Sequence, residues 1–248
     1  MDYLSLITGL CGGLGLFLYG MHIMAAGLQK AAGSKLKKVL EILTKNRFIG
    51  VIVGALVTAV IQSSSATTVM VVGFVNAGLM NLTQAVGIIM GANIGTTITS
   101  WIVSSADFLK TDTLAPIAVF IGAAMILFGK KTKTHQIGEI IIGFGVLFIG
   151  ISMMTAGVEP LSQLDGFKVA FRECGKNPIL GVLVGAGVTA LIQSSSASVG
   201  ILIALAANGL VTVDAAVYII MGQNIGTCAT ALLSSVGASK NAKGAAYI

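Results

Sequence analysis

The chain is 248 residues long, 55% hydrophobic and only 10% charged, against roughly 25% charged residues in an ordinary soluble domain. With a mean hydropathy of +0.95, this composition excludes a water-soluble globular domain and places the chain among polytopic α-helical membrane proteins. The net charge of +6 does not point to nucleic acid, because the basic residues sit between apolar stretches, where membrane topology alone concentrates them.

In chain order, Leu4 to Leu28 predicts a first spanning helix. It reads as retained, because it exceeds the roughly 7 to 15 residues of a signal-peptide core and follows Asp2 with no Lys or Arg before it. A basic loop follows from Gln29 to Arg47, with Lys30, Lys35, Lys37, Lys38, Lys45 and Arg47 against Glu41 alone. Phe48 to Asn76 is apolar except for "QSSS" at Gln62 to Ser65, and Leu82 to Ser105 carries "GANIGT". After the acidic link bounded by Asp107 and Asp112, Leu114 to Gly129 predicts an extra spanning helix, and Lys130, Lys131, Lys133 and His135 form a second basic turn. Ile137 to Val158 predicts another span, followed by the mixed loop Glu159 to Pro178. "QSSS" then returns at Gln193 to Ser196, and "GQNIGT" at Gly222 to Thr227.

The chain is internally duplicated. Asn46 to Ala66 aligns without gaps on Asn177 to Ala197, with 15 of 21 positions identical at an offset of 131. Met90 to Thr99 matches Met221 to Thr230 at the same offset, and Gly20 to Gly27 matches Gly150 to Gly157 at an offset of 130. The expected organisation is a first repeat over 1–105, a linking helix and basic loop over 106–135, and a second repeat over 136–248, read as truncated at its C-terminal end.

Equivalent loops differ in basic content, which is what inverted copies require. The first loop is basic, whereas its counterpart sets Lys168, Arg172 and Lys176 against Glu159, Asp165 and Glu173. Treating each QSSS segment as a re-entrant hairpin threads the chain with 11 of its 15 basic residues on the cytoplasmic side. The N-terminus is then external and the C-terminus cytoplasmic. The expected fold is an all-α polytopic membrane protein of two inverted-topology repeats joined by an extra transmembrane helix. Each repeat has a spanning helix, a re-entrant QSSS hairpin and a broken GxNIGT helix.

Irregular backbone at membrane depth is tolerated only where protein or an aqueous cavity satisfies it, so broken helices mark sites. Freed N–H groups at a half-helix start suit an anion, while carbonyls and hydroxyls suit a hard cation. Gln62, Ser63, Ser64, Ser65, Gln193, Ser194, Ser195 and Ser196 are eight neutral hydrogen-bonding side chains, and Thr67 and Ser198 follow two residues beyond each run. The second motif adds Asn93, Thr96, Thr97, Gln223, Asn224 and Thr227. Gly91, Gly95, Gly222 and Gly226 are expected to allow a second break in each half. Isolated residues such as Ser5, Ser152 and Thr155 are expected only to bond back to their own helix or to a neighbour.

Catalysis is not expected. The histidines, His22 and His135, neighbour neither QSSS run, and the serines lack a GxSxG elbow. The cysteines Cys11, Cys174 and Cys228 are too scattered for a disulfide framework or metal site and read as small core residues. Glu139 is the one carboxylate within about a turn of a span, and it reads as snorkelling to the interface.

Paired QSSS motifs in two halves, each followed by G-x-N-I-G-T, resemble the type II sodium-dependent phosphate cotransporters and their bacterial relatives. The resemblance covers Gly15 to about Ser235. It implies symport of inorganic phosphate with sodium as coupling ion and no other cofactor. Both solutes would lie around Gln62 to Ser65 and Gln193 to Ser196. Sodium is expected among Ser64, Ser65, Asn93, Thr96, Ser195, Ser196, Asn224 and Thr227. The implied setting is the bilayer of a plasma membrane, here a bacterial inner membrane. Small-residue helix faces would permit a homodimer, and longer relatives carry a PhoU-like regulatory domain. The competing readings are a sodium-coupled carrier of another small anion and an ion channel.

Overall fold

The computed structural model describes residues 3–32, 47–105, 111–164 and 176–247, together with residues 166, 169 and 173. Asp2, Lys35, Lys37, Lys38, Glu41, Lys45, Asp107, Asp165, Lys168, Arg172 and Cys174, which the topology and cysteine readings used, lie outside the described residues.

All elements among the described residues are helical. They are α1 (Tyr3–Ala32), α2 (Arg47–Ile61), α3 (Ser64–Asn76), α4 (Leu82–Ser104), α5 (Thr111–Phe128), α6 (Thr132–Val158), a 3-10 turn (Glu159–Gln163), α7 (Pro178–Ile192), α8 (Ser195–Ala207), α9 (Val213–Ser234) and α10 (Lys240–Ala246). Among the described residues, four stretches, Leu6–Ala32, Leu82–Ser104, Thr132–Leu161 and Val213–Ser234, are long and apolar enough to cross a bilayer. By contrast, α2 and α7 have 15 residues and α3 and α8 have 13. At 1.5 Å per residue they are about 20 Å long, short of the roughly 30 Å hydrocarbon core.

Helix starts follow local chemistry. Asn81 and Gln84 form a reciprocal capping box at α4, with both side chain to backbone bonds at 2.9 Å. Asn177 caps α7 by accepting from the Ile179 and Leu180 N–H groups, and Pro178 fills the first position, where no N–H is needed.

The chain forms two compact units, a larger one of Met1–Gly27 with Val103–Gly226 and a smaller one of Leu28–Ile102 with Thr227–Ile248. Within the larger unit, α1 and α6 meet backbone to backbone. A Cβ at Gly13 would fall 2.7 Å from the Gly150 carbonyl, and one at Gly20 would fall 2.7 Å from the Gly143 carbonyl. Phe17, Leu147, Phe148 and Met154 form a dry interior there, and Gly200 of α8 faces the Phe17 ring. Asn208 ends α8 by donating to the Thr155 carbonyl of α6 at 2.8 Å. Within the smaller unit, Val53, Val57, Val71, Val75 and Ile88 pack with Ala242, Ala245 and Ala246 of α10. Asn76, at the end of α3, accepts the Ser239 N–H at 2.9 Å and fixes the start of α10.

The duplication is physical as well as textual. In the smaller unit, Gly54 abuts Ile88, Gly91 abuts the Val51 carbonyl and Gly95 abuts the Ala55 carbonyl. In the larger unit, Gly185 abuts Ile219, Gly222 abuts the Val182 carbonyl and Gly226 abuts the Ala186 carbonyl. Every partner is displaced by 131 residues.

One expectation is overturned here. The GxNIGT segments are not broken, because α4 and α9 run continuously through Gly91 to Thr96 and Gly222 to Thr227. Their glycines let one helix backbone approach another where any side chain would collide. Close packing, not backbone freedom, explains them.

Candidate functional site

Each QSSS run is a junction between two short helices. In the smaller unit, α2 closes with the Gln62 N–H on the Thr58 carbonyl at 2.7 Å, and Gln62 then takes a φ of 58°. That left-handed conformation is uncommon for any residue with a Cβ and persists only where the surroundings hold it. They do so here through the side chain. Gln62 Nε2 donates to the Ala59 carbonyl, and Oε1 accepts from Thr99 Oγ1 of α4 at 2.9 Å. The larger unit repeats the geometry, with Gln193 at a φ of 57° and its Nε2 donating to the Ala190 carbonyl.

The serines have separate duties. Ser63 is the N-cap of α3, its Oγ accepting the Ala66 N–H at 3.1 Å, and Ser194 caps α8 by accepting from Ala197 at 3.2 Å. Ser64, Ser65, Ser195 and Ser196 are the first residues of the new helices. They stand at the positive ends of two helix dipoles. The first serine of each run therefore builds the break, and the next two open the following helix.

In the smaller unit, a pocket of about 30 Å³ is lined by Ser65 and Thr68 of α3, Asn93 of α4, and Thr227 and Cys228 of α9. Ile89, Ala231, Ala245 and Ala246 complete its wall. The polar groups are neutral oxygens and an amide from three helices, with no charged side chain among them. The volume has room for one or two water-sized occupants, which suits dehydrated ions better than an organic ligand.

The pocket brings together Ser65, Asn93 and Thr227 of the expected set. Others are committed elsewhere. Thr67 accepts from Thr58 Oγ1 at 3.0 Å and donates to the Ser63 carbonyl at 3.1 Å, tying the two helices at the break. Thr96 and Thr97 bond back to the Ala92 and Ile94 carbonyls of their own helix at 3.1 and 2.7 Å. In the larger unit, buried Gln223 donates to buried Ser198 at 2.8 Å, while Asn224 is exposed. Thr68 and Cys228 line the pocket although the sequence reading did not single them out. Cys228 and Cys11 are both exposed rather than buried as small core residues. Thr68 had one available signal, lying one turn after Ser64 and Ser65 on the same helix.

The sequence profile of the Na+/Pi-cotransporter family matches residues 16–156 and again residues 153–247. "Putative inorganic phosphate export protein YjbB" of Salmonella typhimurium is 30% identical over 234 residues, which are 94% of this chain and 42% of that protein. "Uncharacterized protein YqeW" of Bacillus subtilis is 31% identical over 231 residues, 93% of this chain and 74% of that protein. "Sodium-dependent phosphate transport protein 2A" of Rattus norvegicus is 37% identical over 95 residues, 38% of this chain and 15% of that protein. The chain thus spans less than half the length of the YjbB protein that it matches. No solved structure matches it.

Proposed function

The chain belongs to the Na+/Pi-cotransporter family, and on that premise we propose that it carries inorganic phosphate across a membrane together with sodium, by alternating access. The observation that carries this reading is the meeting of Ser65, Asn93 and Thr227 in an ion-sized pocket at the start of α3. Neutral oxygens suit sodium. A helix start with its unbonded N–H groups suits a phosphate oxygen. Sodium in the pocket, with phosphate at the neighbouring helix start, would offset much of the desolvation penalty of the anion, so each raises the affinity for the other.

In this reading, the pairs α2–α3 and α7–α8 are re-entrant hairpins of two inverted repeats. Their length of about 20 Å supports a partial crossing. The N-terminus is external, the C-terminus cytoplasmic, and the membrane is the plasma membrane. Ser195, Ser196 and Asn224 are the second half's counterparts of Ser64, Ser65 and Asn93, placed by the offset of 131.

The relative named as a phosphate export protein, 30% identical to this chain, favours outward flux as a second reading. A coupled carrier is reversible, so the net direction follows the imposed gradients. Proteoliposomes loaded with labelled phosphate decide between the two. The expected result is sodium-dependent flux in whichever direction the sodium gradient points, absent with potassium, and reduced about tenfold or more in Asn93→Ala, the cost of one lost charge-assisted contact. Equal flux in sodium and potassium removes the coupling, and flux of sulfate in place of phosphate removes the substrate.

A further inference from the structure

The two breaks share a backbone, but the polar groups holding them differ. In the smaller unit, the Thr58 hydroxyl donates to Thr67 Oγ1 at 3.0 Å, so α2 and the first turns of α3 are tied by two hydroxyls no more than 1% exposed. The same positions in the second copy are Thr189 and Ser198. Both are buried, at 0% and 4% exposure, yet they are not bonded to each other. Ser198 Oγ accepts from Gln223 Nε2 at 2.8 Å, and the Thr189 hydroxyl finds no hydrogen-bond partner among the described residues. Gln223 stands where the first copy has Ala92, and it is 2% exposed. Thr189 is close at hand. Gly226, one turn beyond Gln223 on the same side of α9, would put a Cβ 2.8 Å from the Thr189 Cβ.

A fully buried hydroxyl without a partner is unfavourable and rare enough to need a reason. The first copy suggests one, because the Thr58–Thr67 bond made there is absent from the second copy, where Ser198 accepts from Gln223 instead. We infer that Gln223 is a positioning residue acting through Ser198, and that Ser198 exchanges between two partners, Gln223 as seen here and Thr189 in a second state of the break. Pairing with Thr189 would give that hydroxyl the partner it lacks here and would release the Gln223 amide, so the two arrangements exchange one buried bond for another. In the first copy Ala92 offers no competing amide, so the tie there is fixed. Ser198 follows Ser195 and Ser196 within the first turns of α8, and the exchange therefore re-aims that helix start. The consequence for transport rests on the proposed function; the exchange of partners does not.

The test is a double-substitution cycle on the full chain, read by its thermal unfolding midpoint and by phosphate flux. Thr189→Val removes only the hydroxyl, and Gln223→Ala installs the residue of the first copy. Thr189→Val alone is expected to move the midpoint by less than about 1 °C, because the hydroxyl is unbonded in the state seen here, and to lower flux about fivefold, because the second state then loses its bond. In the Gln223→Ala background, where Thr189 and Ser198 can pair, the same change is expected to lower the midpoint by about 2–4 °C. Adding Ser198→Ala should abolish that dependence, which simple loss of packing at Gln223 would not do. If Gln223→Ala folds poorly, Gln223→Met keeps the volume, removes the amide and serves in its place. An effect of Thr189→Val that is the same in both backgrounds overturns the exchange. Thermal coupling without phosphate flux, even in the wild type, retains the exchange and removes the phosphate reading. Wild-type flux without coupling does the reverse.

Discussion

The first break and the second break use one backbone solution and two polar solutions. Both place a glutamine in left-handed conformation, with φ of 58° and 57°, and both cap the next helix with the first serine of the run. They part where Thr67 and Ala92 in the first copy are Ser198 and Gln223 in the second. The comparison separates what a duplicated fold must keep from what it can change. Helix packing and capping recur at a fixed offset, while the side chains that hold the break shut do not.

The shared part should be the harder to disturb. Gly91→Ala and Gly222→Ala each drive a Cβ into a carbonyl of the neighbouring helix. Each is expected to destabilise by several kcal/mol, with similar losses of folded protein on size-exclusion chromatography. A large difference between the two would break the equivalence of the repeats. The differing part should show an opposite contrast. Thr58→Val strips a buried hydrogen bond from Thr67 and should cost about 1–2 kcal/mol in thermal unfolding. Thr189→Val removes a hydroxyl with no hydrogen-bond partner among the described residues and should be neutral or slightly stabilising. The smallest contrast is at the caps, where Ser63→Ala and Ser194→Ala should each cost about 1 kcal/mol and differ from each other by less than the error of the measurement.

Much of this was legible in the residues. A polar run inside an apolar stretch, repeated at a fixed offset, locates both junctions, and the helices flanking the first one, Arg47–Ile61 and Ser64–Asn76, fall within a residue of the expected Phe48 to Asn76. The capping box at Asn81 and Gln84 and the start at Asn177 and Pro178 are local chemistry of the kind a sequence records. The glycines of GxNIGT are not decidable in the same way. Lack of a Cβ serves a break and a close helix contact equally well, and only the neighbouring backbone shows which applies at Gly91 or Gly222. The pocket was half legible. Ser65, Asn93 and Thr227 follow from the motifs, but Cys228 and the α10 alanines Ala245 and Ala246 enter through tertiary packing, which has no period in the chain.

Cys228 offers the most direct test of where the solutes bind, since it is exposed and lines the pocket with Ser65, Asn93 and Thr227. The measurement is the rate at which a small thiol reagent modifies Cys228 in a Cys11→Ser, Cys174→Ser protein, in sodium or potassium, with and without phosphate. The account predicts slower modification with sodium, and slower still with sodium and phosphate together, because occupants of the pocket cover the thiol. A rate unchanged by either solute, in protein that carries sodium-dependent phosphate flux, would contradict it and move the binding site away from this pocket.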